Sequence, residues 1–251
     1  MNESPAARPA VGSPCLRRHQ LLWIARSHHD ALSAEIPDRS LRSIVADWLA
    51  AGWPLVVRQQ STSQVRVGSL DRVAVGMPLP LAEGRRRIGL MVASQSIEGS
   101  APPPLLRDVI PRLPQWRRPA LLHLAQHFDS IELAVRVYGS MAWEALTGCA
   151  YLTPHSDIDL LWQPSTPSQL AAAIAMLARW EAESGVRADG EILFGNDDAV
   201  GWREWMRAER RSDDDHSAQV LVKALSGPRL ESPVRLIARL PTCETETCPA
   251  V

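Results

Sequence analysis

The sequence predicts an α+β protein in which a small N-terminal α+β domain precedes a larger domain with a mixed sheet flanked by helices. Short runs with the alternation of strands recur throughout the chain. Segments with apolar residues at helical spacing, such as 40–51 and 167–183, lie among them. Six prolines between Ala101 and Pro119 separate the two sets. Since proline disrupts a helix interior, we predict an extended linker there.

Domain boundaries follow from this composition. We expect a disordered N-terminus over 1–14, an N-terminal domain over 15–100, the linker over 101–118, the second domain over 119–240 and a flexible tail over 241–251. Ser165 or Thr166 is available to cap the helix that starts at Pro167. The elements predicted for the second domain are a strand over 133–138, a helix over 141–147, strands over 155–162, 187–194 and 199–205, and a final helix over 217–225.

Composition excludes several classes of protein. The 251 residues carry 27 Lys and Arg against 28 Asp and Glu, a net charge of −1, so no global field attracts a nucleic acid. The N-terminus has no apolar signal region and no run has transmembrane length, so we expect a cytoplasmic protein without a membrane partner. The four cysteines lack zinc-site spacing. Cys243 and Cys248 in the acidic tail could pair, which the sequence leaves open, but we expect free thiols.

The residues that carry chemistry lie between Gly139 and Asp159. Gly139 lets the backbone turn between a strand and a helix, and Ser140 opens that helix, whose first amides suit a phosphate group. Asp157 and Asp159 are two residues apart on a predicted strand and therefore share one face, while Ile158 and Leu160 point into the core. Two adjacent carboxylates repel each other unless a cation lies between them. We therefore predict a Mg²⁺ site and metal-dependent transfer of a nucleotide-like group.

A third acidic ligand is expected on an adjacent strand. Asp189 and Glu191 are both candidates, because they are two residues apart and share a face. We favour Asp189 slightly, but the sequence leaves the choice open. In this order, with a strand, a helix and a strand between the motifs, the residues are typical of a nucleotidyltransferase.

A longer string around these motifs narrows the prediction. From Tyr138 to Leu161 the chain reads YGSMAWEALTGCAYLTPHSDIDLL, and it resembles the family of phosphoribosyl-dephospho-CoA transferase, the malonate decarboxylase holo-acyl-carrier-protein synthase. Further similar segments occur at 18–23, 52–58, 77–90, 189–192, 200–205 and 222–225, so the resemblance spans roughly 17 to 235.

The resemblance implies a donor and an acceptor. The donor is 2′-(5″-triphosphoribosyl)-3′-dephospho-CoA, and the acceptor is a serine of the acyl-carrier subunit of malonate decarboxylase. It further implies that Asp157 and Asp159 bind the metal and are catalytic, and that Gly139 and Ser140 hold the triphosphate. Two alternatives remain: a nucleotidyltransferase that uses an ordinary nucleoside triphosphate, and a non-catalytic module that binds a carrier protein.

Two basic residues are weaker candidates for substrate binding. Arg203, expected on a strand after the third acid, either neutralises phosphate charge or forms a surface ion pair. Lys223, the one lysine of the chain, is expected in a helix near the site. It either contacts a phosphate or is an ordinary residue of an amphipathic face.

Overall fold

The structure is a computed structural model that describes residues 16–60, 71–195, 198–212 and 218–240. The predicted disorder of 1–14 and the flexible tail 241–251 with its two cysteines lie outside the described residues. The chain divides into two compact units, Met1–Pro103 and Pro104–Val251. Among the described helices, none is long and apolar enough to cross a membrane.

The described residues of the first unit form a five-stranded antiparallel sheet and two α-helices. Its strands are β1 (Leu21–Ile24), β2 (Leu55–Val57), β3 (Arg72–Pro78), β4 (Arg87–Ala93) and β5 (Ile97–Ala101), in the order β4-β3-β2-β1-β5. The helices are α1 (His29–Ala34) and α2 (Arg39–Ala50). The carboxylate of Asp38 caps α2 by accepting from the amides of Ser40 and Leu41. The predicted N-terminal α+β arrangement is confirmed.

The second unit contains a six-stranded mixed sheet. Its strands are β6 (Val135–Val137), β7 (Ile158–Trp162), β8 (Ala188–Phe194), β9 (Asp198–Gly201), β10 (Val220–Ala224) and β11 (Gly227–Glu231), in the order β11-β10-β9-β8-β7-β6. β7 and β8 are parallel, whereas the other neighbours are antiparallel. The described helices of this unit are α3 (Leu106–Val109), α4 (Arg118–Ser130), α5 (Gly139–Thr147), α6 (Pro167–Ser184), α7 (Trp202–Ser212) and α8 (Pro233–Ile237).

One face of this sheet forms the core of the second unit. The residues of β7 and β8 that join this core alternate along their strands, as strand periodicity requires, and they cluster with the apolar residues of α4 and α6. The side chains of Asp157, Asp159, Asp189 and Glu191 belong to the opposite face, because they alternate with those core residues. The core residues therefore lie on one face of the sheet, and the four candidate acidic residues lie on the other.

The structure differs from the sequence prediction in the proline-rich segment. Instead of an extended linker, the segment contains α3 and a 3₁₀ turn over Ile110–Arg112, and its buried residues include Leu106 and Leu113. The reason is spacing: no proline lies between Pro104 and Pro111, and Pro111 occupies the start of its turn, where proline is tolerated.

Two predictions of element type near the end of the second unit are wrong. The predicted strand over 199–205 ends at Gly201, and helix α7 begins at Trp202. Its buried residues Trp202, Trp205 and Ala208 recur every three positions, which is a helical spacing. The predicted helix over 217–225 contains instead strand β10, in which Val220 and Val222 are buried with the period of a strand.

Candidate active site

Helix α5 begins at an unusual junction with strand β6. Tyr138 is extended, and Gly139 has φ +63°, a left-handed conformation that strongly favours glycine. A Cβ atom at Gly139 would lie 1.8 Å from Oδ2 of Asp159. The carboxylate of Asp159 therefore occupies the space that a side chain at position 139 would need. It lies directly against the start of helix α5.

The backbone of the sheet fixes this contact. Antiparallel pairing sets Val137 opposite Leu160, and the amide of Tyr138 donates to the carbonyl oxygen of Asp159 at 3.0 Å. Gly139, the first residue of α5, thus lies beside Asp159, the second residue of β7. Among the described residues, Tyr138 at the N-cap supplies no side-chain cap, so the first amides of α5 lack that acceptor.

The two predicted carboxylates flank a buried residue. Ile158 and Leu160 lie in the core, as predicted, and Asp157 and Asp159 are half-buried on the other face. Nε of Arg187 lies 3.5 Å from Oδ2 of Asp157. Both side chains of this ion pair are substantially exposed, so solvent weakens it and it adds little to stability.

The candidates for a third acidic ligand have different surroundings. Asp189 is exposed and lies in register with Asp159 on the neighbouring parallel strand, so the two side chains share a face. Glu191 is only 3% exposed, and its Oε1 accepts from Nζ of Lys223 at 2.9 Å. Because an ammonium group balances the charge of Glu191, Asp189 stays the preferred candidate, and its role as a third ligand stays a prediction.

The donor set fits a magnesium ion that is completed by substrate. Within the part of the chain that the structure describes, no three His, Cys, Asp or Glu side chains form a group that could hold a metal ion. Mg²⁺ is usually held by one or two carboxylates together with substrate phosphates and water. Asp157 and Asp159 supply such a pair, and α5 starts beside them with backbone amides for phosphate oxygens.

The residues between the Gly139–Ser140 turn and Asp157, which belong to the string that resembles the family, fix the loop that leads to Asp157. A carboxylate oxygen of Glu144 accepts from the amides of Tyr151 and Leu152 at 2.8 and 2.7 Å. The hydroxyl of Thr147 donates to the carbonyl of Trp143, and Gly148 ends α5 with φ +73°. These residues give the loop a fixed shape, so their part in the motif is structural.

Arg117, which no pattern in the sequence predicted as a site residue, is buried beneath the same loop. The residue is only 4% exposed, and its guanidinium donates through Nη2 to the carbonyl oxygen of Ser156, next to Asp157. Its Nε is buried without a hydrogen-bond partner in the described residues. Burial lowers the pKa of Arg117, and the charge of Asp157 opposes that effect. No local pattern in the proline-rich segment signals this contact, because it spans 39 residues.

The two weaker candidates lie on other elements than predicted. Arg203 is on helix α7, where it pairs with Glu181, donates to the carbonyl of Ala188 at 3.1 Å and lies over the ring of Trp202 at 4.5 Å. Lys223 is on strand β10 and reaches across β9 to Glu191 on β8. A role of either residue in substrate binding stays a prediction.

Comparison with known proteins matches both units to one family. Residues 17–103 match the phosphoribosyl-dephospho-CoA transferase MdcG N-terminal domain, and residues 105–233 match the MdcG C-terminal domain. The chain belongs to the phosphoribosyl-dephospho-CoA transferase family. The predicted membership is confirmed, and the protein is a transferase.

Proteins named phosphoribosyl-dephospho-CoA transferase from several bacteria cover most of the chain. The protein of Xanthomonas euvesicatoria is 39% identical, over 85% of this chain and 92% of its own length. The proteins of Bradyrhizobium diazoefficiens and Pseudomonas aeruginosa are each 31% identical, over 76% and 83% of this chain and 85% and 93% of their own lengths. No solved structure matches the chain.

Proposed function

We propose that the protein transfers the phosphoribosyl-dephospho-CoA group from 2′-(5″-triphosphoribosyl)-3′-dephospho-CoA to a serine of the acyl-carrier subunit of malonate decarboxylase. The serine oxygen forms a bond to the α-phosphorus of the donor. The bond from that phosphorus to the oxygen bridging to the β-phosphate breaks, and diphosphate leaves with that oxygen. The serine hydroxyl loses its proton to water, and the carrier keeps its new group through a phosphodiester.

The contact between Gly139 and Asp159 carries this proposal. In this contact, the start of helix α5, which suits a phosphate group, lies against the carboxylate of Asp159, which suits a metal ion. In the proposal, the first amides of α5 and the hydroxyl of Ser140 orient the triphosphate. Asp157 and Asp159 hold Mg²⁺, and Asp189 is the proposed third acidic ligand. When bound, Mg²⁺ neutralises charge on the phosphate oxygens.

The donor and acceptor of this proposal come from the family. The relatives bear the name of the same transferase, and the motif string from Tyr138 to Leu161 resembles that family throughout. We propose that the reaction takes place in the cytoplasm.

The decisive experiment supplies the donor and the apo carrier subunit together. We expect the carrier to gain the mass of one phosphoribosyl-dephospho-CoA group, as measured by intact-protein mass spectrometry, and one equivalent of diphosphate to appear. With EDTA the mass shift should vanish, and added Mg²⁺ should restore it. Modification of the carrier from ATP, but none from the proposed donor, would contradict the proposal in favour of an ordinary nucleotidyltransferase.

A variant pair separates catalysis from carrier binding alone. Asp159→Ala should abolish the mass shift while carrier binding persists. Asp129→Asn, an exposed aspartate on α4, serves as the control and should transfer at the normal rate. If the wild-type protein binds the carrier and no donor modifies it, the chain is a non-catalytic carrier-binding module.

A further inference from the structure

A basic pocket lies beside the candidate active site in the second unit. It is open to solvent, has a volume of about 490 Å³, and is lined by Glu181, Gly185, Arg187, Arg203 and Arg207. Three guanidinium groups and one carboxylate give the lining a formal charge of +2 (3 − 1). The volume falls within the range of small-molecule sites, and the charge suits an anion.

The pocket walls come from three elements. Gly185 ends helix α6 in a left-handed conformation, and Arg187 lies immediately before strand β8. Arg203 and Arg207 are four residues apart on α7, so their side chains lie on one face of that helix. The fold therefore brings Arg187 together with Arg203 and Arg207, which lie 16 and 20 residues later in the sequence.

One of these cations is held in place before any ligand arrives. The guanidinium of Arg203 is fixed by Glu181, by the carbonyl of Ala188 and by the face of Trp202. The carboxylate of Glu181 in turn accepts from the amide of Ala188 at 2.9 Å. Because this carboxylate is already engaged, the pocket offers no acidic ligand for a metal, and its anion must be bound by guanidinium groups directly.

Another cation connects the pocket to the acidic site. Nε of Arg187 lies 3.5 Å from Oδ2 of Asp157, while the same side chain lines the pocket. Arg207 is exposed and makes no hydrogen bond or ion pair with any of the residues that the structure describes. A ligand that reaches from Asp157 into the pocket thus passes Arg187 and meets Arg207.

We propose that this pocket binds the diphosphate bridge of the dephospho-CoA part of the donor, an assignment that rests on the proposed function. The donor carries phosphate groups in two places, namely the reacting triphosphate and the bridge between adenosine and pantetheine. The carboxylates and the start of α5 take the first, with a metal. The arginine pocket takes the second, without one.

Such a site determines specificity. An ordinary nucleoside triphosphate has the reacting phosphates and lacks a second diphosphate, so it gains nothing from the pocket. Binding of a part of the substrate that does not react also orients the part that does, which raises the rate of transfer. The pocket accounts in this way for selection of the CoA-derived donor.

The test uses dephospho-CoA alone as the probe, with EDTA present. Isothermal titration calorimetry on the full chain should show binding, and Arg207→Gln should weaken it about tenfold, through loss of a charge-assisted hydrogen bond. Arg179→Gln, which removes the same charge from an exposed site on α6 outside the pocket, should bind as the wild type does. Equal weakening by both variants, or no weakening by Arg207→Gln, would overturn the assignment.

Steady-state kinetics distinguish the pocket from a docking site for the carrier. Arg207→Gln should raise KM for the donor about tenfold and leave KM for the carrier unchanged. A rise in KM for the carrier alone overturns the proposal. If the wild type binds dephospho-CoA through Arg207 but transfers nothing to the carrier, the pocket stands and the proposed function fails. If transfer proceeds and Arg207→Gln changes neither constant, the function stands and the pocket fails.

Discussion

Two helices of the second unit begin in opposite ways. Helix α6 has a complete start: the hydroxyl of Thr166 accepts from the amide of Gln169 at 3.0 Å, Pro167 occupies the first turn, and the Gln169 side chain accepts from the amide of Ser165 at 2.7 Å. In the part of the chain that the structure describes, the N-cap residue of helix α5 supplies no side-chain cap. This helix begins at a left-handed glycine and faces the carboxylate of Asp159.

This difference indicates that the start of α6 contributes to stability, whereas the start of α5 is available for binding a ligand. A capped helix start has its amides satisfied and contributes to stability. A start without a side-chain cap leaves amides for a ligand, and the energy that a cap would have supplied is available only when the ligand binds. Changes at α5 should therefore affect activity most, and changes at α6 should affect stability most.

The largest expected effect comes from removing the charge that the start of α5 faces. Asp159→Asn keeps the shape of the side chain and loses the negative charge. We expect kcat/KM to fall about 10³-fold, because several kcal/mol of charge stabilisation depend on the metal that the carboxylate holds. The thermal midpoint should change little, and a variant that keeps a tenth of the activity would remove Asp159 from the metal site.

Gly139→Ala tests the contact itself. The new Cβ would lie 1.8 Å from Oδ2 of Asp159, so the carboxylate has to move, and a displacement of about 1 Å costs roughly 10²-fold in rate. Gly148→Ala is the matched control, since Gly148 also has a positive φ of 73° but no atom within 4 Å of the new Cβ. It shares the backbone strain without the clash, so equal losses of activity in the two variants would refute the importance of the contact.

A third helix start extends the comparison. Arg117 is the N-cap residue of α4, yet its side chain makes no cap and reaches Ser156 beside Asp157 instead. Arg117→Met should lower kcat/KM by 10- to 100-fold and raise the Mg²⁺ concentration needed for half-maximal activity, as for other residues that orient metal ligands. Arg117→Lys should recover part of both. A fall in stability with an unchanged Mg²⁺ dependence would make the contact purely structural.

The smallest effect is expected at the capped helix. Thr166→Ala should lower the free energy of unfolding by about 1 kcal/mol, because the amide of Gln169 loses its acceptor. Transfer activity should stay at the wild-type level at 25 °C. Ser165→Ala, which keeps the backbone amide that bonds to Gln169, should leave both quantities unchanged, as chemical denaturation and the carrier assay will show.

Local patterns predicted much of this arrangement. The positions of Ile158 and Leu160, the helix from Pro167 and the glycine turn at Gly139 all follow from strand period, cap chemistry and backbone freedom. The metal and ligand roles of Asp157 and Asp159 stay predictions, supported by their shared half-buried setting.

The rest depended on contacts between distant residues or on short ambiguous runs. A run such as Val220–Ala224 is too short for its period to distinguish a strand from a helix, and its pairing with β9 and β11 decides the outcome. The contact of Arg117 with Ser156, and the meeting of Arg187 with Arg207, exist only after the chain has folded. No spacing in the sequence encodes them.

The ion pair between Lys223 and Glu191 has a practical consequence. Because Lys223 is the chain's one lysine and its side chain is 43% exposed, an amine-directed reagent has a single side chain to modify besides the N-terminal amine. That side chain stands on the same sheet face as the acidic residues, two strands away from Asp189. The yield of the peptide labelled at Lys223 should therefore report whether a ligand or a partner protein covers that face of the sheet.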